Sequence, residues 1–180
     1  PSWSGNPMTA DRVRELKQLI ADLRDRYGFE EDRPDPVALA EAMHVRVRYF
    51  PLRDLRGFYL VLNDIPFIAI DRDIPEALQR VVCAHELGHH LLHHEEASRG
   101  FFDDYDLYRM ENRFERDANL FASLLLLPDR AVEEFCRPEN RGLSVKEAAR
   151  LRETTEELFA IRLGAEGLDT GVRFSRFPDR

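Results

Sequence analysis

The stretch Val81-Val82-Cys83-Ala84-His85-Glu86-Leu87-Gly88-His89-His90-Leu91-Leu92-His93 contains His85-Glu86-x-x-His89. On an α-helix, residues four apart stand one turn above each other on the same face. Both imidazoles can therefore reach one metal ion. Glu86 falls at the flank of that stripe, where its carboxylate can reach a water on the ion without ligating the ion itself. Two histidines as ligands and a glutamate as base is the residue pattern of zinc hydrolases. Leu78, Val81, Val82, His85, His89 and Leu92 recur at spacings of three and four. Residues 75–94 are thus predicted to form one amphipathic helix. The histidines share its apolar face, where an imidazole needs a partner. That argues against a merely solvated His-rich surface.

A catalytic zinc site needs three protein ligands and one open position. His93 continues the stripe, but it lies about 12 Å along the helix axis from His85, too far for one ion while the helix stays intact. His90, His93 and His94 are read instead as supporting or solvated residues. A better third ligand opens the next helical run, Glu115-Arg116-Asp117-Ala118-Asn119-Leu120-Phe121-Ala122. Glu115 and Asn119 share a face, so a carboxylate can meet the metal while an amide one turn on holds a ligating imidazole in its tautomer. Glu111 and Asp117 are rivals. Asp117 stands about 200° around the helix from Glu115, so only one of the two can face the ion.

These two motifs resemble the ImmA/IrrE family of metallopeptidases. The first is His85-Glu86-Leu87-Gly88-His89. The second is Glu115-x-x-Ala118-Asn119-x-Phe121-Ala122-x-x-Leu125-Leu126-x-Pro128. The resemblance covers residues 37–135. Leu127 stands where the family often has Met before the proline. The resemblance implies that His85, His89 and Glu115 bind one Zn2+ per chain and that Glu86 is the catalytic base. It also implies a protein substrate, commonly a helix-turn-helix repressor of a phage, a mobile element or a stress regulon.

The elements that must position these residues follow from periodicity and punctuation. Val13, Leu16, Leu19, Ile20 and Leu23 mark a first helix, capped by Thr9 and ended by Gly28. Asp35 caps a short helix with Pro36 at its first position, through Met43. Three strands follow, at residues 45–50, 57–62 and 66–71, with Asn63-Asp64 as the turn between the last two. The expected fold is α+β: a small antiparallel or mixed three-stranded sheet on a zincin-like helical core. Phe67, Ile68, Ala69 and Ile70 are expected to form an edge strand beside the motif helix that pairs with an extended substrate. Residues 95–112 lack periodicity and read as a functional loop, with Tyr105 or Tyr108 as a candidate oxyanion donor. Beyond Pro128 come a helix at 130–136, a turn at 137–142, a helix capped by Ser144, and one from Thr154 or Thr155 that Gly164 closes.

Composition bounds the partners. The 180 residues suit one domain, and 43% hydrophobic content can fill its core. Residues 1–7 read as a linker or appended scar, 8–136 as the catalytic domain, and 137–180 as a C-terminal helical extension. A net charge of −8 disfavours direct nucleic-acid binding and leaves open a basic protein partner, such as a DNA-binding repressor. Glu156 and Glu157 would repel phosphate at the start of the last helix. Cys83 and Cys136 form no disulfide framework and are expected in the core, in a cytoplasmic protein. No apolar run is long enough to span a bilayer.

Overall fold

The computed structural model describes residues 10–95 and 107–171, without the side chains of 107–112, and the described residues include three strands and seven α-helices. The order is α1 (Ala10–Tyr27), α2 (Pro36–Ala42), β1 (Arg46–Phe50), β2 (Gly57–Leu62), β3 (Ile65–Asp71), α3 (Glu76–Leu92), α4 (Leu107–Leu126), α5 (Asp129–Phe135), α6 (Val145–Leu151) and α7 (Glu156–Ala165). The architecture is α+β with a small mixed sheet, as expected from the residue patterns.

Local signals explain most boundaries. The Asp35 carboxylate accepts hydrogen bonds from the main-chain N–H groups of Val37 and Ala38, with Pro36 at the first turn of α2. Gly28 ends α1 at φ +68°. Ser144 and Glu147 form a reciprocal capping box on α6, and Thr155 caps α7. At the far end of α7 the left-handed glycine is Gly167, at φ +77°, rather than Gly164, which lies inside the helix. Thr9, the expected cap of α1, lies outside the described residues. Helix α4 begins at Leu107, so part of the expected 95–112 loop is helical.

The sheet runs β1-β3-β2. Asn63 and Asp64, both at positive φ, make the tight turn that pairs β2 antiparallel with β3. β1 pairs parallel with β3 on its other side. The expectation that Phe67, Ile68, Ala69 and Ile70 form an edge strand is therefore wrong. Strand β3 is central, with neighbours along both sides, so it offers no edge to a substrate. Alternation shows which face a residue takes, not which strand lies in the middle. The edge on the antiparallel side is β2. The Asp71 N–H donates to the Arg56 carbonyl at 2.8 Å, which makes these two an exchanging pair. In an antiparallel ladder the alternate residues Gly57, Tyr59 and Val61 then point their N–H and C=O groups away from β3.

The core lies between the sheet, α3 and α4. Val47, Tyr59, Ile68 and Ile70 from the sheet meet Val81, Val82, Ala84 and Leu87 of α3 and Leu120, Phe121 and Leu124 of α4. Residues 118–126 of α4 are buried on every side, and the two polar residues in this run, Asn119 and Ser123, hydrogen-bond to His85 and to the Leu120 carbonyl. Leu158 and Ile161 of α7 belong to this same core, and Phe159 and Leu163 to a satellite cluster with Leu127 and Val132. Cys83 is buried among them, whereas Cys136 is exposed, contrary to the expectation that both are core residues.

Arg162 of α7 is fully buried. Its Nε donates to the Leu127 carbonyl at 2.7 Å, and its terminal nitrogens meet Asp129 and Glu166 at 2.5 and 2.6 Å. Lys17 of α1 reaches the same two carboxylates at 2.7 and 2.8 Å. A buried cation held this way stitches α7 to the α4–α5 junction. Arg162→Ala would strand those acceptors, and we expect it to cost about 3 kcal/mol. Urea denaturation of the variant against wild type measures that loss.

Candidate metal centre

Helix α3 buries Val81, Val82, Cys83, Ala84, Leu87 and Gly88. His85 and His89 stand at the border of that seam, with side chains 14% and 16% exposed. Two close approaches place other elements over them. A Cβ at Gly88 would lie 3.1 Å from Ala118 Cα and 3.2 Å from both Ala118 O and Phe121 Cδ1. Glycine here lets the backbones of α3 and α4 nearly touch. A Cβ at Gly57 would lie 2.4 Å from Val82 Cγ1 and 2.8 Å from Ala69 O, with Glu86 Cγ at 3.8 Å. Glycine there lets β2 lie directly on α3 beside Glu86.

The first contact delivers Glu115, one turn before Ala118, to the two histidines. His85 Nε2 and His89 Nε2 are 3.1 Å apart. Glu115 Oε2 is 3.2 Å from the former, and Oε1 is 3.0 Å from the latter. These three side chains form a group whose ligand atoms lie within 4.8 Å of one another. Neighbouring ligands of a tetrahedral zinc with bonds of about 2.0–2.1 Å are about 3.3 Å apart, so the spacing fits the ion.

The surrounding groups prepare the donors. Asn119 Oδ1 accepts a hydrogen bond from His85 Nδ1 at 2.9 Å, which fixes the ring with Nε2 towards Glu115. His93 is buried, with Nδ1 at 3.1 Å from His89 Nδ1 and its ring 4.4 Å from that of Phe114. It stands to His89 as Asn119 stands to His85. Burial alone would lower the His85 pKa, but Glu115 and Glu86 reverse this and hold it above its ordinary value. Burial would raise the Glu115 carboxyl, but its hydrogen bonds with His85 and His89 hold it far below the usual carboxylate range. The pocket is built to favour positive charge at the point where the donors converge.

Glu86 is buried at 8% exposure. Burial raises its carboxyl above the ordinary value, against the opposing pull of His85, His89 and a hydrogen bond from the Tyr59 main chain. Asp117, the rival of Glu115, faces the other way and pairs with Arg12 of α1 at 2.6 Å. Glu111 and Tyr108 are residues whose side chains lie outside the described structure, as does Tyr105 altogether. Tyr59 was not singled out by residue type. Its inward place in the alternating strand 57–62 was the only available signal.

Residues 40–163 match the peptidase family described as the IrrE N-terminal-like domain. The chain belongs to the IrrE N-terminal-like peptidase family. It is also 33% identical over 125 residues to "Uncharacterized immunity region protein 2" of Bacillus phage phi105, an alignment spanning 69% of this chain and 75% of the relative. Membership in the IrrE N-terminal-like family gives the His-His-Glu group a metallopeptidase-like setting. Among the described residues no helix is long and apolar enough to cross a membrane.

The contact at Gly88 predicts a sharp sensitivity. Gly88→Ala would push α3 from α4 by a few tenths of an ångström, because the obstructing atoms include backbone. Overpacking of this kind costs about 1–3 kcal/mol. Thermal denaturation should show the loss, and Gly142→Ala, where a Cβ meets nothing, should not.

Proposed function

We propose that this chain is a zinc-dependent endopeptidase, with His85, His89 and Glu115 as ligands and Glu86 as base. The observation that carries this reading is the convergence of two imidazoles and a carboxylate at 3.0–3.2 Å beside a buried glutamate that is not among them. A purely structural site has no use for a base beside its ligands. When bound, zinc would supply Lewis-acid polarisation of the scissile carbonyl and acidify a water towards a pKa of about 7. Glu86, its proton affinity raised by burial, takes the proton of the attacking water and hands it to the leaving amine. Asn119 and His93 hold the two imidazoles in orientation.

The substrate strand is assigned to the free edge of β2, replacing the expected role of β3. Val61 and the Tyr59 carbonyl point away from β3 on the side where β2 meets Glu86. An extended segment can add there through main-chain hydrogen bonds. The substrate we infer is a helix-turn-helix repressor of a phage, a mobile element or a stress regulon. The phage immunity-region relative and the acidic charge of −8, suited to a basic DNA-binding partner, support this. Such a substrate places the activity in the cytoplasm.

The deciding experiment pairs wild type with Glu86→Gln. Each is assayed for bound zinc and incubated with the helix-turn-helix repressor encoded beside it. Wild type should cut. Glu86→Gln should keep one zinc per chain and lose cleavage by roughly a hundredfold or more. If both bind the repressor and neither cuts it, the protein is a sequestering regulator instead. Removing the metal with a chelator should abolish cleavage and zinc should restore it. Asn119→Ala should weaken zinc binding about 10- to 100-fold, measured by competition with a chromophoric chelator.

Val61→Pro tests the strand assignment. It deletes an N–H that points off the sheet, a change an edge position tolerates. KM should rise several-fold while zinc content stays the same. An unchanged KM sinks the assignment of β2.

A further inference from the structure

The C-terminal end of α3 and the residues just past it carry a second histidine pair that the metal reading does not use. His90 and His94 are one turn apart, and their rings meet edge to face with centroids 5.4 Å apart. Both turn their Nδ1 atoms to one hydroxyl, that of Tyr59, at 2.9 and 2.7 Å. A hydroxyl donates one hydrogen bond and accepts another, so a single phenol can satisfy one imidazole as acceptor and the other as donor. Tyr59 is itself buried, at 9% exposure, on the inner face of β2.

The same residue touches the catalytic side through its main chain. Tyr59 occupies a position of β2 whose N–H points off the sheet, because Arg56 and Asp71 set the ladder one residue out of phase. Two residues earlier, Gly57 brings the strand within 3.8 Å of Glu86 Cγ, measured from the position its Cβ would take. The Tyr59 N–H is thereby the main-chain donor on the side of β2 that meets Glu86, and it opposes the rise that burial gives the Glu86 carboxyl. One residue therefore joins the base, through its backbone, to the helix that carries the base, through its side chain.

We propose that Tyr59 is a positioning residue for Glu86: its N–H aims the carboxylate, and its hydroxyl, clamped by His90 and His94, keeps that stretch of β2 seated on α3. This rests on the reading of Glu86 as the base. An unaimed carboxylate on a free rotamer would spend much of its time out of reach of the water. A donor on a strand anchored at that same residue removes this freedom at no cost in ligation. The arrangement also accounts for His90 and His94, which the ligand set leaves without a role.

The test uses the full chain loaded with zinc and reads both amide exchange and kinetics. In wild type, the Tyr59 amide should exchange at least about tenfold more slowly than in Glu86→Ala, and Glu86→Gln, which keeps an acceptor oxygen, should restore much of that protection. Tyr59→Phe keeps the ring and loses the clamp. It should speed exchange at position 59 and lower kcat on the repressor roughly three- to tenfold, with KM within about twofold and one zinc per chain. His90→Gln combined with His94→Gln should reproduce the kcat loss, and adding Tyr59→Phe to that pair should change little further. A Tyr59 that only fills space would instead shift thermal stability and leave its amide indifferent to Glu86. Cleavage by wild type with a fast-exchanging Tyr59 amide, or one unchanged in Glu86→Ala, overturns the positioning role alone. A protected, Glu86-dependent amide in a wild type that cuts nothing overturns the peptidase reading, and with it the catalytic meaning of the contact.

Discussion

The near-contact of two helix backbones at Gly88 and Ala118 is the constraint on which the rest of this molecule depends. Neither position carries a side chain larger than a methyl group, so α3 and α4 approach until main-chain and Cβ atoms touch. Glu115 lies one turn from Ala118, and His85 and His89 flank Gly88. Only at that separation does a short glutamate reach both imidazoles at about hydrogen-bond distance. The buried leucines of α4 hold the approach in place by packing against α1, α3 and α7. Close-packed interiors transmit such constraints because they have little room to relax.

A second approach, at Gly57, sets the other wall. There the sheet meets α3 through a glycine that leaves space for Val82 and the Glu86 stem. The two glycines divide the work. Gly88 assembles the donors, and Gly57 brings a strand edge and a main-chain donor to the carboxylate beside them. The histidines of residues 85–94 are each met by a partner: Asn119 for His85, His93 for His89, and Tyr59 for both His90 and His94. Burial pushes the Tyr59 hydroxyl up to about 12 and the His90 imidazole down to about 4, so these two groups are neutral near pH 7. The hydroxyl clamp thus stands beside the His-His-Glu group without joining it.

The C-terminal segment is part of the same construction. Leu158 and Ile161 fill the core under α4, and Arg162 ties α7 to the turn where α4 ends. A buried guanidinium is expensive unless its donors are met. Here the donors meet a carbonyl and two carboxylates, and Lys17 shares the carboxylates from α1. This network braces the far end of the helix that presents Glu115.

Sequence alone determined what depends on local geometry. Helix spacing put His85 and His89 on one face, kept His93 too far along the axis to join them, and turned Asp117 away from Glu115, which the pairing of Asp117 with Arg12 matches. Caps and turns such as Asp35, Ser144 and Asn63-Asp64 were legible because each acts within a few residues of itself. What only the tertiary structure decided involves residues distant in the chain. Strand order made β3 central and β2 the edge, since alternation encodes a face and not a neighbour. The exposure of Cys136 and the partnership of Tyr59 with His90 and His94 depend on how elements stack, and no periodicity reports that. The two glycines mattered for what approaches them. A missing side chain becomes informative only when the neighbouring backbone that needs its absence is in place.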